Sequence, residues 1–212
     1  MTDRSTNETV FIVEDDLSLR EGLCDLLDGA GLETTCFSRA EDFVESWTPE
    51  MAGCLLLDIR LPGMSGMEMQ TRMVELGITL PIIFMTAHGD IPMVRKALKA
   101  GAVEFLTKPF NSQELLESVQ QAFTRDRANR RAESQLSTIH ARFETLSGRE
   151  REVLELVTAG LTNKEIGEKI HLSVVTIKLH RGQVMRKMQA ESLADLVKMW
   201  ERTHPAETHK EA

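Results

Sequence analysis

The stretch C-L-L-L-D-I-R-L-P-G-M-S-G, residues 54–66, decides the fold of the first half of this chain. It begins with four apolar residues, reaches the carboxylate of Asp58, and then enters a turn that contains Pro62 and two glycines. A short apolar run without polar alternation is typical of a strand covered on both faces, as in a parallel sheet. We therefore predict a buried strand over residues 54–57, with Asp58 directly after it.

Four further strand candidates lie on either side of this one and alternate with segments of helical spacing. In residues 17–27, apolar residues recur at positions 19, 23, 26 and 27, which is the spacing of one helical face. This alternation indicates a doubly wound α/β domain with a five-stranded parallel sheet, which binds ligands at the carboxyl ends of its strands. The predicted strands are residues 10–13, 34–37, 54–57, 81–85 and 103–106; the predicted helices are residues 17–27, 40–47, 91–100 and 112–123, with another that follows the turn at 61–66 and ends at residue 76.

The second half of the chain shows no strand pattern and indicates four short helices. Ser147 followed by Glu150 has the pattern of a capping box, and Ser173 and Ser192 are predicted to cap two later helices. Residues between the two halves are rich in Arg and helix formers and contain no Gly or Pro. The sequence predicts three parts: a domain at residues 1–123, a helical linker at 124–142 and a small all-α four-helix domain at 143–212.

The net charge of −8 is distributed unevenly along the chain. Residues 1–123 contain 9 Lys and Arg against 20 Asp and Glu, residues 124–142 contain 5 against 2, and residues 143–212 contain 11 against 11. This asymmetry suggests different partners for the two halves. The acidic total argues against unspecific coating of nucleic acid but is compatible with one local basic face.

The sequence also carries indications of its compartment. No apolar run approaches the roughly 20 residues that span a bilayer, and the first eight residues are polar. We therefore expect a soluble cytoplasmic protein. Cys24, Cys36 and Cys54 lie in apolar surroundings without motif spacing, so we expect three buried free thiols.

Polar residues follow four of the predicted strands. Glu14 and Asp15 come after the first, Asp58 after the third, Thr86 after the fourth and Lys108 after the fifth. In a doubly wound sheet these positions converge on one edge, where carboxylates suit a hard divalent cation. A carboxylate beside such a cation can attack a phosphoryl group, while Lys108 offsets the developing charge and Thr86 donates a hydroxyl. Each residue alone could be a helix cap or a solvated turn, but together they predict a phosphoryl-acceptor site.

The segments V-F-I-V-E-D-D, L-L-L-D-I-R-L-P-G-M-S-G, F-M-T-A-H-G-D and F-L-T-K-P-F resemble the receiver domains of two-component response regulators, over residues 8–123. The resemblance implies a flavodoxin-like fold in which Asp58 accepts a phosphoryl group from a histidine kinase. It implies Mg²⁺ held by Asp15, Asp58 and the backbone carbonyl of Arg60, with Glu14, where the family more often has Asp, acting through water. Other positions that match the family are Thr86 and Lys108, which contact the phosphoryl group, Phe105, the aromatic switch, and Pro109, which follows a cis peptide bond.

The third helix of the second half has two different faces. Ile177, Val184 and Met188 share one face, as expected for a core. An apolar and basic opposite face suits the major groove of DNA, where side chains meet thymine methyls and a glycine permits close approach. A solvated helical bundle is the alternative. The opposite face contains Val175, Lys178, Leu179, Gly182 and Arg186, and Thr176, Arg181 and Lys187 are candidates for phosphate contacts.

The strings R-E-R-E-V-L, T-N-K-E-I and T-I-K-L-H-R occur in order and resemble the LuxR-type helix-turn-helix of the NarL/FixJ family, over residues 143–202 and closest to its FixJ-like branch. The resemblance implies that residues 162–181, including Lys164, form the DNA-reading unit. It implies that residues 193–200 pair two protomers on promoter DNA, with phosphorylation promoting the homodimer and with RNA polymerase as a further partner.

We weigh three hypotheses for the function. The first is a transcription regulator, not an enzyme, whose DNA binding is controlled by phosphorylation. The second is a phosphatase resembling the haloacid dehalogenase group, which would need an acid two residues after Asp58, where this chain has Arg60. The third is a module whose helices bind protein instead of DNA. Both sets of motifs together favour the first.

Overall fold

The computed structural model describes residues 8–87, 95, 97–99 and 101–204. The chain divides between Arg130 and Arg131 into two compact units, here called the N-terminal and the C-terminal unit.

The N-terminal unit contains a parallel sheet of five strands in the order β2-β1-β3-β4-β5. The predicted doubly wound sheet is therefore confirmed. The order reverses between β1 and β3, and the register places Val13 beside Leu57 at this switch point. The strands are β1, Thr9–Val13; β2, Glu33–Phe37; β3, Gly53–Asp58; β4, Ile82–Thr86; and β5, Glu104–Thr107.

Helices cover both faces of this sheet because alternate side chains of the inner strands point in opposite directions. Phe11, Val13, Leu55 and Leu57 pack on the side of α2 and α3, and Val10, Ile12, Cys54 and Leu56 pack on the side of α1 and α4. The helices are α1, Leu17–Gly29; α2, Ala40–Ser46; α3, Gly66–Glu75; and α4, Ser112–Glu144. Of the helix predicted over residues 91–100, only residues 95 and 97–99 lie within the described residues, and these are helical.

Helix α4 runs without a break through the segment predicted as a linker, residues 124–142. Its side chains pack at both ends of that segment. Asp126 is buried, and its Oδ2 accepts hydrogen bonds from Gly53 N (3.0 Å) and Arg130 Nε (2.8 Å). Arg130 also donates to the carbonyls of Pro49 and Met51. In the C-terminal unit, Ile139 and Phe143 belong to the core.

The cysteines differ from the expectation of three free thiols. Cys24 of α1 and Cys36 of β2 form a disulfide, because β2 runs beside α1 and brings the two side chains together. This neighbourhood is tertiary and is not visible in the spacing of the cysteines. Cys54 is a buried free thiol, as expected, and burial raises its pKa.

Over its described residues, 131–204, the C-terminal unit has four short helices after the end of α4, as predicted. The capping box of Ser147 and Glu150 is present, and Thr162 with Glu165 forms a second one. Leu172, in the turn between α6 and α7, packs its carbonyl oxygen against Gly167 of α6. A Cβ at position 167 would lie 2.6 Å from that oxygen, so this position requires a glycine. The helices are α5, Gly148–Thr158; α6, Asn163–Ile170; α7, Val174–Met188; and α8, Leu193–Thr203. Across the described part of the chain, none of the helices has the length and apolarity needed to cross a bilayer.

Candidate functional sites

Three carboxylates meet at the carboxyl edge of the sheet. Asp58 is the last residue of β3 and is 7% exposed, while Glu14, which follows β1, is 1% exposed. Asp15 is exposed beside them. One oxygen from each of the three carboxylates lies within 4.8 Å of the others. The edge predicted from the strand ends is thus an acidic cluster whose oxygen donors suit a hard divalent cation.

Lys108 closes this cluster from the end of β5. Its Nζ lies 2.6 Å from Asp58 Oδ2 and 2.7 Å from Glu14 Oε2, so one ammonium donates to both carboxylates. Burial lowers the pKa of Lys108, but the hydrogen bonds to the two carboxylates outweigh this effect, and the net shift is upward. Burial also raises the pKa of Glu14, although Lys108 opposes that rise. At neutral pH the ammonium therefore remains charged.

The backbone around Lys108 is fixed by β4. Lys108 N donates to the carbonyl of Thr86 at 2.7 Å, and the peptide bond to Pro109 is cis, as the sequence resemblance predicted. Thr86 is buried at the end of β4. The ring of Phe105 in β5 is half-buried, 6.4 Å from the ring of Phe84 between centroids. The predicted phosphoryl contacts and the predicted switch residue thus lie on adjacent strands.

The loop after β3 is held back against the strand end. Arg60 N donates to Asp58 Oδ1 at 3.0 Å, and Gly66 N donates to the carbonyl of Ile59 at 3.0 Å. A Cβ at Gly66 would lie 2.4 Å from the carbonyl oxygen of Asp58, so only a glycine permits this approach. Glu41 of α2 accepts a hydrogen bond from Met64 N at 3.1 Å.

Two residues that position this site were missed at the sequence level. Glu41 is one of them. The other is Arg20 of α1, whose Nη1 donates to the carbonyls of Glu14 at 2.6 Å and Asp15 at 3.3 Å. Both act on backbone groups of another segment, so neither belongs to a local pattern. For Arg20, its place one turn into a helix that follows the acidic run was the only available signal.

In the C-terminal unit, α7 presents the face that was predicted to contact DNA. Val175 is 77% exposed and Leu179 is 63% exposed. Lys178, Gly182 and Arg186 are exposed along the same face, while Ile177, Val184 and Met188 are buried on the other. This face therefore combines exposed aliphatic side chains with cations, a composition that fits a binding surface better than a face that contacts only water.

The other predicted DNA contacts are arranged differently. Lys164 on α6 is exposed, with its Nζ 3.9 Å from Glu168 Oε1. The half-buried Thr176 has its Oγ1 2.8 Å from Ser173 Oγ at the start of α7. Arg181 donates to Asn163 Oδ1 at 2.6 Å and so links α7 to α6.

Lys187 is engaged inside the unit. Its Nζ lies 2.6 Å from Glu150 Oε2 and 3.0 Å from the carbonyl of Thr145. The hydrogen bond from Lys187 is the largest cause that lowers the pKa of Glu150 to about 2, with the backbone of Ser147 next. In this structure the side chain of Lys187 is an internal cross-link.

Comparisons with known proteins match both halves of the chain. The family model described as the response regulator receiver domain matches residues 10–120, and that of the luxR family of bacterial regulatory proteins matches residues 144–200. The chain is 47% identical to nodulation protein W of Bradyrhizobium diazoefficiens, covering 99% of this chain and 92% of that protein. It is 38% identical to the transcriptional regulatory protein FixJ of the same organism, covering 92% and 95%.

Among solved structures, the response regulator StyR is similar with a TM-score of 0.80 and 45% identity, covering 92% of this chain and 99% of that chain. The two matching family models and the transcriptional regulatory protein FixJ belong to a family of transcription regulators and not of enzymes, which removes the phosphatase hypothesis. The chain belongs to the response regulators that join a receiver domain to a LuxR-type DNA-binding domain, and within them to the FixJ-like members of the NarL/FixJ family.

Proposed function

We propose that Asp58 is the phosphoryl acceptor of this response regulator, with a histidine kinase as the donor, and that its phosphorylation controls dimerisation and sequence-specific binding to promoter DNA. The observation that carries the proposal is the convergence of Glu14, Asp15, Asp58 and Lys108 at one edge of the sheet. Pairing of two protomers through α8 and contact with RNA polymerase belong to the same proposal and rest on the family alone.

The chemistry follows from the positions of the side chains. A carboxylate oxygen of Asp58 attacks the phosphorus atom and forms an acyl phosphate, while the bond from phosphorus to the donor breaks and the donor leaves, as the kinase imidazole or, with acetyl phosphate, as acetate. Lys108, which already contacts the Asp58 carboxylate, offsets the charge that develops on the transferred oxygens. The Thr86 hydroxyl can donate to the same oxygens. Mg²⁺ would be held by Glu14, Asp15, Asp58 and the Arg60 carbonyl, where its charge would further neutralise the phosphoryl oxygens.

Phosphorylation by acetyl phosphate tests the acceptor. Incorporation should require Mg²⁺ and should be lost in Asp58→Asn, because the amide is a poor nucleophile. The matched control is Asp25→Asn, which removes an exposed carboxylate of α1 and should label like the parent chain. Stoichiometric labelling of Asp58→Asn would show that another residue accepts the phosphoryl group.

The DNA-binding part of the proposal assigns base contacts to α7. Val175 and Leu179 suit thymine methyls, and Lys178 suits a guanine edge or a phosphate. If Lys178 contacts a guanine, Lys178→Ala should lose about 1–3 kcal/mol of binding free energy and relax the preference at one base pair. If it contacts only phosphate, the loss should be the same on all duplexes and the salt slope should fall by about one unit.

Arg149→Ala is the matched control for Lys178→Ala, since it removes an exposed cation from α5. Both variants should be measured on the duplex that the parent chain selects from a random-sequence pool. An unchanged affinity of Lys178→Ala on every duplex would remove Lys178 from the interface.

A further inference from the structure

Gly182 lies in the middle of α7, where the fold gives no reason for a glycine. Its backbone is helical, and it is exposed. A Cβ added there would meet nothing within 4 Å. Gly167 and Gly66 differ, because a Cβ at either would collide with a backbone carbonyl. Packing within the C-terminal unit therefore does not explain the missing side chain at Gly182.

The glycine also acts against the helix that contains it. Glycine loses more conformational freedom on folding than any other residue, and only proline is less favourable in a helix interior. An alanine at this position would fit the space and favour the helix. The chain thus has a less stable α7 than its own packing permits.

The residues around Gly182 indicate which kind of ligand approaches the open space above it. Lys178 and Leu179 precede it by four and three residues, and Arg186 follows it by four, so Gly182 lies at the centre of the exposed face. This face combines cations with the exposed aliphatic side chains of Val175 and Leu179. Such a mixture matches a surface that carries both phosphates and methyl groups, as the major groove of duplex DNA does.

We propose that Gly182 is a specificity-determining residue that lets the backbone of α7 approach a base pair more closely than a Cβ permits. The inference rests on the proposed DNA-binding function. Gly182 has no side chain with which to contact a base. It acts by leaving room, so that the neighbouring Lys178 and Leu179 reach the floor of the groove. Stability and recognition are therefore in conflict at this one position.

The substitution Gly182→Ala in the full-length chain separates the two effects. The unfolding of the C-terminal unit is followed by the fluorescence of Trp200 in a Trp47→Phe background. Alanine should raise the thermal midpoint by about 4–8 °C, as expected for the removal of an interior helical glycine from a unit of this size. On the duplex selected by the parent chain, its affinity should fall by about tenfold or more, because the adjacent contacts are displaced. The salt slope should stay unchanged, since no phosphate contact is removed.

Gly22→Ala is the matched control. Gly22 is also exposed inside a helix, and a Cβ added to it would likewise meet nothing within 4 Å, but it belongs to α1 and lies near Glu21 and Asp25, which would repel DNA. This substitution should stabilise the N-terminal unit and leave DNA affinity unchanged.

Three results would overturn the inference. Parent-like affinity of Gly182→Ala on the selected duplex would show that the space is not used. A lowered thermal midpoint would show that the glycine has a packing role in the unit itself. If the parent chain selects no duplex and shows no salt-dependent binding, the proposed DNA-binding function fails first, and the inference fails with it.

Discussion

At the scale of single residues, Lys108 contacts carboxylates that would hold the proposed cation, and we expect the two positive groups to compete for them. Its ammonium donates to Asp58 and Glu14, two of the three acidic groups of the cluster. Removing a positive charge from beside a cation site increases the affinity for the cation. Lys108→Met should therefore bind Mg²⁺ about tenfold more tightly in a calorimetric titration. Lys99→Met, which removes an exposed lysine, serves as the control. Weaker binding to Lys108→Met would mean that the ammonium organises the site instead of competing for it.

Glu150 is a buried carboxylate whose charge stabilises the C-terminal unit. Its pKa of about 2 lies below the ordinary value of 4.5, chiefly because of the hydrogen bond from Lys187. Since the folded-state pKa is depressed, the stabilisation is complete above the unfolded pKa of 4.5 and is lost as the pH falls from there through about 2.

Glu150→Gln should consequently lower the free energy of unfolding by about 2 kcal/mol at neutral pH, the typical value of a hydrogen bond between charged groups. Urea denaturation followed by Trp200 fluorescence at several pH values measures this difference. The difference from the parent should shrink as the pH falls below 4.5. Glu152→Gln, an exposed neighbour on α5, should change little. A difference that is independent of pH would exclude the ion pair as its cause.

At the scale of secondary-structure elements, local sequence patterns were sufficient to predict the strands and the helix caps. The five strands and the caps at Ser147, Ser173 and Ser192 lie within a residue or so of the prediction. Strand β2 is an edge strand with mostly exposed residues, so its sequence, Glu33–Phe37, contains fewer apolar residues than the inner strands do. The contacts of Asp126 could not be predicted, because they join residues that are 73 positions apart. In the sequence this aspartate resembles any other charge in an Arg-rich helix.

The Asp126–Arg130 pair therefore provides a test of where the N-terminal unit ends on α4. Asp126 is 1% exposed, and its carboxylate joins α4 to the start of β3. Asp126→Ala should destabilise the N-terminal unit by about 3 kcal/mol, because it leaves Gly53 N and Arg130 without their acceptor. The measurement is urea denaturation followed by Trp47 fluorescence in a Trp200→Phe background.

Arg131→Ala is the matched control for this prediction, since Arg131 is exposed and next to Arg130 in the same helix. It should leave the unfolding midpoint within experimental error of the parent. If Asp126→Ala also leaves it unchanged, residues 124–130 do not contribute to the stability of the N-terminal unit.

At the scale of the whole molecule, the charge distribution limits how phosphorylation can act. Residues 1–123 carry 9 positive against 20 negative side chains, whereas residues 143–212 are balanced at 11 against 11. Phosphorylation of Asp58 adds up to about two further negative charges. The electrostatic field of the first domain therefore opposes DNA binding, and more strongly after phosphorylation. If phosphorylation strengthens DNA binding, as proposed, it must act through a change of packing or of oligomeric state.

A fragment that lacks the N-terminal unit tests whether that unit inhibits DNA binding. It should begin at Arg131 and not at Phe143, because Ile139 is part of the core and Arg142 donates to the carbonyl of Met188 at 3.0 Å. We expect the fragment to bind the selected duplex more tightly than the unphosphorylated full-length chain does, in a titration at constant salt. Circular dichroism confirms that the fragment is folded. Equal affinities would contradict inhibition by the N-terminal unit.

Phosphorylation should then overcome this inhibition by joining two chains. We expect the phosphoryl group to draw in Thr86 and to let Phe105, now half-buried against Phe84, turn inward. The surface that repacks is formed by β5, α4 and the helix predicted over residues 91–100, most of which lies outside the described residues. If that surface pairs two N-terminal units, the second DNA-binding domain acts at a raised effective concentration, which strengthens binding by about 10²-fold without any new contact to DNA. Sedimentation velocity should show a dimer with acetyl phosphate and Mg²⁺ at concentrations where the untreated chain is a monomer, and Asp58→Asn should stay monomeric under both conditions. A phosphorylated chain that binds DNA more tightly yet sediments as a monomer would require activation within a single chain.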